Sequence, residues 1–215
     1  MGGKSRYTTG MKATELVENT FKHSWEVFLK RPWLIIAAFA AAFVVSTISG
    51  FVAQGLIDNG ADPVSASIVN VFDFFVIQVF VGMGLTAFAL KADNDTENLR
   101  FADLWAPRHY WKYLLTSLLV SAIGIAGILL FVIPGIIAAI LLLFAPYLVI
   151  DRGLGPIDAI KTSFEKTKEH FWALLLLLVA IILLNIAGAL LLGVGLIVTM
   201  PVSFLAVIHA YRMVG

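Results

Sequence analysis

The basic residues of this chain are confined to a few short segments, and long uncharged apolar runs separate them. In chain order they are Lys4, Arg6, Lys12, Lys22, Lys30, Arg31, Lys91, Arg100, Arg108, Lys112, Arg152, Lys161, Lys166, Lys168 and Arg212. The connections that follow the first, third and fifth apolar runs contain no Lys or Arg. Membrane proteins keep an excess of Lys and Arg in their cytoplasmic loops. The pattern therefore predicts six spans with both termini in the cytoplasm.

The composition agrees with a membrane location. The chain is 60% hydrophobic and 13% charged, whereas a soluble domain is about half apolar and about a quarter charged. Because each span needs about 20 apolar residues, six spans fill most of the 215 residues. We expect a single integral membrane domain over residues 1–215 in the inner membrane, without a cleaved signal peptide. The absence of Cys excludes disulfides, thiol catalysis and Cys-based metal sites.

The apolar runs place the spans at about 33–57, 64–90, 113–132, 136–150, 171–192 and 195–210. Pro134-Gly135 is expected to form a tight reversal between the third and fourth spans. The fourth span is then only about 22 Å long at 1.5 Å per residue. A re-entrant hairpin of these two spans is the alternative, but their combined length favours two crossings. Pro146 and Pro201 are expected to kink spans four and six.

Amphipathic stripes precede the spans on the basic side. In the polar N-terminal segment 1–32 the stripe is formed by Val17, Phe21, Trp25 and Phe28. In a predicted interfacial helix at about 156–170 it is formed by Ile157, Ile160, Phe164 and Phe171. Such helices lie in the membrane interface, with Lys among the headgroups. We expect five tryptophans to be interfacial anchors. They are Trp25, Trp33, Trp105, Trp111 and Trp172.

These pieces recur along the chain. Ser24-Trp25-Glu26 precedes Trp33 by the same spacing as Ser163-Phe164-Glu165 precedes Trp172. His109-Tyr110-Trp111 and Ile125-Ala126-Gly127 recur 61 residues later as His170-Phe171-Trp172 and Ile186-Ala187-Gly188. Chance similarity between apolar segments is the alternative. The pattern predicts an all-α bundle with a threefold parallel repeat of interfacial helix and helical hairpin, unlike the inverted repeats of many transporters.

Several motifs in the second half of the chain are shared with a known group of proteins. They are Ile133-Pro134-Gly135, Phe144-Ala145-Pro146-Tyr147-Leu148-Val149-Ile150-Asp151, Gly155-Pro156-Ile157-Asp158-Ala159-Ile160-Lys161-Thr162-Ser163, and Gly193-Val194-Gly195-Leu196-Ile197-Val198-Thr199-Met200-Pro201 followed by Tyr211-Arg212. With these motifs the chain resembles a broad prokaryotic set of six-span proteins, including the membrane domain attached to some glycerophosphodiester phosphodiesterases. The resemblance implies the six-span fold. It brings no catalytic residues, and the chain has no soluble phosphodiesterase domain, so that activity is not expected.

Asp73 is the one ionisable residue well inside a predicted span. A carboxylate at that depth costs about 2.5–3.5 kcal/mol, so it should face the bundle interior, pair with a neighbour or be protonated. Asn70 lies one helical turn before it, and Asn185 lies at a similar depth in span five, whereas Gln78 should point elsewhere. Asp73, Asn70 and Asn185 are therefore the candidate intramembrane polar site, for a cation or a proton. A helix-packing hydrogen bond is the competing interpretation.

Other chemistry finds little support in the sequence. The four histidines, His23, His109, His170 and His209, all fall on the basic side, and interfacial positions explain them better than a shared metal site. No nucleophile, phosphate-binding or zinc-protease motif is present. We therefore expect no catalytic residues, no metal and no cofactor.

The expected function is non-enzymatic: organising or sensing lipid, or assisting a membrane partner, at the inner leaflet. The expected partners are the bilayer, anionic lipid at the cytoplasmic face, and a membrane-protein partner or further copies of the chain, but no nucleic acid. The alternative is a small transporter or channel with Asp73 in its pathway.

Overall fold

The computed structural model describes residues 12–60, 62–105, 109–191 and 193–214, and in these residues the chain is helical with no β-strand. The predictions for residues 1–11, Arg108 and Leu192 lie outside the described residues. The elements are α1 (Ala13–Lys30), α2 (Pro32–Asp58), α3 (Pro63–Phe72), a π-helical segment (Asp73–Gln78), α4 (Val79–Asn94), a 3-10 turn (Phe101–Trp105), α5 (Tyr110–Leu130), α6 (Val132–Leu141), α7 (Ala145–Arg152), α8 (Pro156–Glu169), α9 (Phe171–Leu190) and α10 (Leu196–Val214).

Six stretches of helix among the described residues are long and apolar enough to cross a membrane. They are α2, α3 with the π-helical segment and α4, α5, α6 with α7, α9, and α10. This confirms the predicted all-α bundle of six spans, and the chain is a multi-pass membrane protein. Spans one and two form the first helical hairpin, spans three and four the second, and spans five and six the third. The remaining helices, α1 and α8, precede the first and the third hairpin.

The second and fourth spans are longer than the sequence indicated. The second continues to Asn94. The fourth begins at Val132, because the reversal occurs at Phe131, whose backbone is extended at φ −164° and ψ 149°. The prediction of a reversal at Pro134-Gly135 was wrong. Pro134 lies instead in the first turn of α6, where its missing N–H leaves no hydrogen bond unmade.

The fourth span is broken between α6 and α7. Side chains of α8 form hydrogen bonds with the backbone groups that the break leaves without helical partners. Ser163 Oγ accepts a hydrogen bond from the Phe144 N–H at 3.2 Å and donates to the Leu141 carbonyl at 2.9 Å. Thr167 Oγ1 donates to the same carbonyl at 2.8 Å. Broken helices are tolerated at membrane depth only where other groups satisfy the freed backbone. Pro146, predicted to kink this span, lies in the first turn of α7, directly after the break.

Two features of the repeated sequence units correspond in the structure. Ser24 of α1 and Ser163 of α8 are both buried against the bundle. The second and third hairpins both close on a pair of glycines. A Cβ built on Gly127 would lie 2.9 Å from the Gly135 Cα, and one built on Gly195 would lie 2.6 Å from the Gly188 carbonyl oxygen. Small residues at such positions let helices approach closely.

The protein core lies at one end of the bundle. We call the end at which α2, α5 and α9 begin and α4, α7 and α10 end the charged end, and the opposite end the hairpin tips. Large side chains that are at most 1% exposed at the charged end include Phe88, Leu99, Phe144, Leu148, Leu174, Ile208 and Tyr211. Toward the hairpin tips the apolar side chains are mostly exposed, among them Phe51 and Phe131, each 75% exposed.

Candidate functional site

Asp73 begins the π-helical segment in the middle of the second span. In a π-helix the hydrogen bonds run from residue i to residue i+5, so a turn takes more residues than the 3.6 of an α-helix and residues five apart come closer to the same side. Gln78 Nε2 accordingly lies 3.4 Å from Asp73 Oδ2 and 3.4 Å from Ser49 Oγ on α2. The expectation that Gln78 points elsewhere was wrong, because it assumed α-helical periodicity.

The structure does not gather the three predicted site residues. The Asn70 side chain is exposed. The Asn185 side chain donates to the Ile181 carbonyl at 2.9 Å and to Ser203 Oγ of α10 at 2.8 Å, so it lies between α9 and α10. Asp73 Oδ1 is buried and has no hydrogen-bond partner among the described residues. Asp73 is therefore one member of a small polar contact with Gln78 and Ser49.

Four of the five tryptophans predicted as anchors lie at the charged end, in the 3-10 turn or at the starts of α2, α5 and α9, and Trp25 lies in α1. Their exposed fractions range from 46% for Trp25 to 82% for Trp33. A soluble protein would bury most of this aromatic surface.

A cluster that the sequence did not predict lies at the charged end and joins α1, α4 and α10. His23 Nε2 lies 3.1 Å from Asp93 Oδ1, and His209 Nδ1 lies 3.2 Å from the same oxygen. The two imidazole rings are stacked, with centroids 3.9 Å apart. We call His23, Asp93 and His209 the His–Asp cluster. The side chains of Asp93 and His209 are 7% and 15% exposed, and that of His23 is 37% exposed.

Arg212 connects the His–Asp cluster to α7. Its Nε lies 3.9 Å from Asp93 Oδ2, and its Nη2 lies 3.3 Å from Asp151 Oδ1. The Tyr211 hydroxyl donates to Asp151 Oδ2 at 2.8 Å. The Arg212 guanidinium therefore lies between the carboxylates of Asp93 and Asp151. It links the ends of α4, α7 and α10.

A polar groove of about 240 Å³ lies beside Arg212 and Asp151 and is also lined by Lys91 and Asp103. Lys91 Nζ lies 2.8 Å from both oxygens of Asp103. Partial burial of the Asp103 carboxyl disfavours its charged form, but hydrogen bonds from Lys91 and from the Arg100 N–H outweigh burial, and the pKa of Asp103 is lowered.

A second groove of about 240 Å³ is apolar and lies between α1 and the pair α9 and α10. Phe21 and Trp25 form one wall, and Leu184, Val198 and Val202 form the other. The remaining lining residue is Thr199, and because the other five are apolar this groove suits a hydrocarbon chain.

The His–Asp cluster escaped prediction because its members are far apart in sequence. His23 and His209 were interpreted as interfacial residues, and Asp93 lies just beyond residue 90, where the second span was predicted to end. The sequence contained one signal for this cluster. If the helix of span two continues through Lys91-Ala92-Asp93, the Asp93 carboxylate lies on the same basic side of the membrane as His23 and His209. Sequence periodicity carries no information about which helix ends meet.

Comparison with known proteins gives relatives without a described activity. The chain is 29% identical over 182 residues to the uncharacterized protein Rv2560 of Mycobacterium tuberculosis, and the match covers 83% of this chain and 55% of that protein. The uncharacterized protein Mb2590 of Mycobacterium bovis matches with the same identity and coverage. The chain thus spans about half the length of these curated relatives. No family model and no solved structure matches. The resemblance to phosphodiesterase-linked membrane domains stays a prediction.

Proposed function

We propose that this protein is a non-enzymatic lipid-organising protein that binds anionic lipid at its charged end, in the cytoplasmic leaflet of the inner membrane. The observation that carries the proposal is the set of five exposed tryptophans, four of which lie at the end where the basic residues lie. Tryptophan is favoured where one side of a surface is apolar and the other is wet. Both termini are cytoplasmic in this proposal, by the positive-inside rule.

The placement of α8 supports the proposal. Its inner face consists of the small residues Ala159, Ser163 and Thr167, which are buried against the broken fourth span. Its outer face exposes Ile157 and Phe164, 63% and 46% respectively. The exposed lysines Lys161 and Lys168 lie on the same helix. A helix fixed to the bundle on one side and apolar and basic on the other is suited to the membrane interface.

The apolar groove beside Trp25 supports the same function. An acyl chain lying between α1 and the third hairpin would contact Phe21 and Val202 while its headgroup remained near the charged end. Each Lys or Arg near an anionic leaflet contributes about 1 kcal/mol. The proposal therefore combines a hydrocarbon groove with a basic surface.

Quenching of tryptophan fluorescence by brominated lipid tests the proposal on the whole chain. We expect brominated phosphatidylglycerol to quench more strongly than brominated phosphatidylcholine in reconstituted vesicles. The substitutions Lys161→Gln and Lys168→Gln each remove one positive charge. Each should lower the preference for the anionic lipid by about fivefold, which corresponds to about 1 kcal/mol.

Glu165→Gln is the matched control, because Glu165 is exposed on the same helix. Its substitution should leave the preference unchanged or increase it. Equal quenching by the two brominated lipids in the wild-type protein would refute the anionic preference, and an unchanged preference in the lysine variants would remove α8 from the binding surface.

A transport function through Asp73 is the second candidate, and the orphaned Asp73 Oδ1 favours it. Against it, Asp73 lines neither of the two grooves described above. In proteoliposomes with an entrapped pH indicator, proton or cation flux that Asp73→Asn abolishes would establish this function. If Asp73 is a packing residue, the variant should fold and behave as the wild type does.

A further inference from the structure

The His–Asp cluster has the donor atoms of a metal site. Among the described residues it is the one group of three His, Cys, Asp or Glu side chains whose ligand atoms all lie within 4.8 Å of one another. Ligands bound to a tetrahedral ion at about 2.0–2.1 Å are about 3.3 Å apart. The two distances from Asp93 Oδ1 to the imidazole nitrogens, 3.1 and 3.2 Å, are close to that separation.

The same two distances also lie within the ordinary range of N–H···O hydrogen bonds, about 2.7–3.2 Å, so length alone fits both a hydrogen bond and a pair of metal ligands. The metal interpretation rests on convergence, because this one carboxylate oxygen faces an imidazole nitrogen from each of two other helices. We propose that His23, Asp93 and His209 bind a divalent transition-metal ion of the Zn²⁺ class, a site that goes beyond the lipid-binding function proposed above.

The donor set selects the class of metal. Two imidazole nitrogens and one carboxylate oxygen suit Zn²⁺, Ni²⁺ or Cu²⁺, whereas Mg²⁺ and Ca²⁺ prefer oxygen ligands. Because the His23 side chain is 37% exposed, water can reach the cluster and fill a fourth position.

The surrounding charges are compatible with a dication. Asp93, Asp151 and Arg212 are linked by ion pairs, and the formal charges of these three groups sum to −1. Arg212 lies on the Oδ2 side of Asp93, so Oδ1 remains directed at the two histidines. Groups behind the ligands commonly fix ligand orientation in this way.

The site would cross-link parts of the chain that are distant in sequence. His23 belongs to the helix before the first hairpin, Asp93 ends that hairpin, and His209 lies near the end of the third. A bound ion would therefore fasten α1 to the charged end and hold one wall of the apolar groove.

Zn²⁺ binding to the purified, untagged whole chain tests the proposal, with metal content measured after equilibrium dialysis. We expect one Zn²⁺ per chain in the wild-type protein. His23→Ala, Asp93→Asn and His209→Ala should each weaken binding by at least about 100-fold, since loss of an outer partner alone costs about 10–100-fold.

His170→Ala is the matched control, because it removes a histidine from the same end of the bundle without touching the cluster. It should bind Zn²⁺ as the wild type does. Zn²⁺ should raise the melting temperature of the wild type and of His170→Ala, but not that of His23→Ala. The visible absorption of bound Co²⁺ should indicate four-coordination in the wild type.

The variants differ in their risk to folding. His23 is the most exposed ligand, so His23→Ala should elute as the wild type does in size exclusion even if His209→Ala aggregates. Absence of stoichiometric Zn²⁺ from the wild-type protein overturns the proposal. Unchanged affinity in a correctly folded His23→Ala protein also overturns it.

Discussion

The charged end and the hairpin tips are held together by different interactions. At the charged end, side chains from α1, α4, α7, α8 and α10 interlock, and buried aromatic residues such as Phe144 and Tyr211 pack edge to face with centroids 5.6 Å apart. At the hairpin tips, the second and third hairpins are held by glycine pairs and expose most of their apolar surface. One end resembles the core of a soluble protein, and the other depends on lipid.

This difference indicates where specificity resides. The polar clusters around Asp93, Asp103 and Asp151 are all at the charged end, where packing holds their geometry. Apolar side chains in hydrocarbon gain little by burial against one another, so the tips require only close helix contact. Substitutions should therefore have large effects at the charged end and small effects at the tips.

The largest expected contrast is between two phenylalanines. Phe144 is 1% exposed, and Phe51 is 75% exposed. Phe144→Ala should destabilise the protein by about 3–5 kcal/mol through the cavity it leaves. Phe51→Ala should change stability by less than about 0.5 kcal/mol, as surface substitutions do. Unfolding in detergent, followed by tryptophan fluorescence, measures both. Equal losses would show that the tips also form a protein core.

Sequence analysis could predict the spans because length and hydropathy alone decide them. It could not locate the break after Leu141, because the hydrogen bonds that permit it come from Ser163 and Thr167 on another helix. The pairing of Asp73 with Gln78 was missed because it depends on a local π-helical repeat. The His–Asp cluster was missed because it depends on which helix ends meet.

The break in the fourth span offers the next largest effect. Ser163→Ala leaves the buried Phe144 N–H without its acceptor, and Thr167→Val removes a donor to the Leu141 carbonyl. An unsatisfied buried polar group costs about 1–3 kcal/mol, and Ser163→Ala should lose that much stability. Thr167→Val leaves the Leu141 carbonyl its hydrogen bond from Ser163, so it should lose only the net contribution of one hydrogen bond, about 0.5–1.5 kcal/mol. Ser121→Ala, at an exposed position of α5, is the control and should be neutral. Neutral Ser163→Ala would mean that water or lipid satisfies the break.

The glycine pairs test the tips themselves. Gly127→Ala places a Cβ 2.9 Å from the Gly135 backbone and should cost about 1 kcal/mol, at the lower end of overpacking effects. Gly50→Ala meets no heavy atom within 4 Å, and it should gain up to about 1 kcal/mol through helix propensity. Opposite signs for the two variants, in the same unfolding assay, are the expected result. A stabilising Gly127→Ala would show that the second hairpin is not closely packed.

The smallest effect is expected at the ion pair of Lys91 and Asp103, whose side chains are 38% and 22% exposed. Partly exposed pairs contribute about 0.2–1 kcal/mol. Because the folded-state pKa of Asp103 is lowered, its contribution is present above the unfolded-state pKa of about 3.9 and is lost as the pH falls through the folded-state value. The melting temperature of the wild type should exceed that of Asp103→Asn at neutral pH, and the gap should close in acid. A gap that persists in acid would mean that Asp103 acts through packing rather than through its charge.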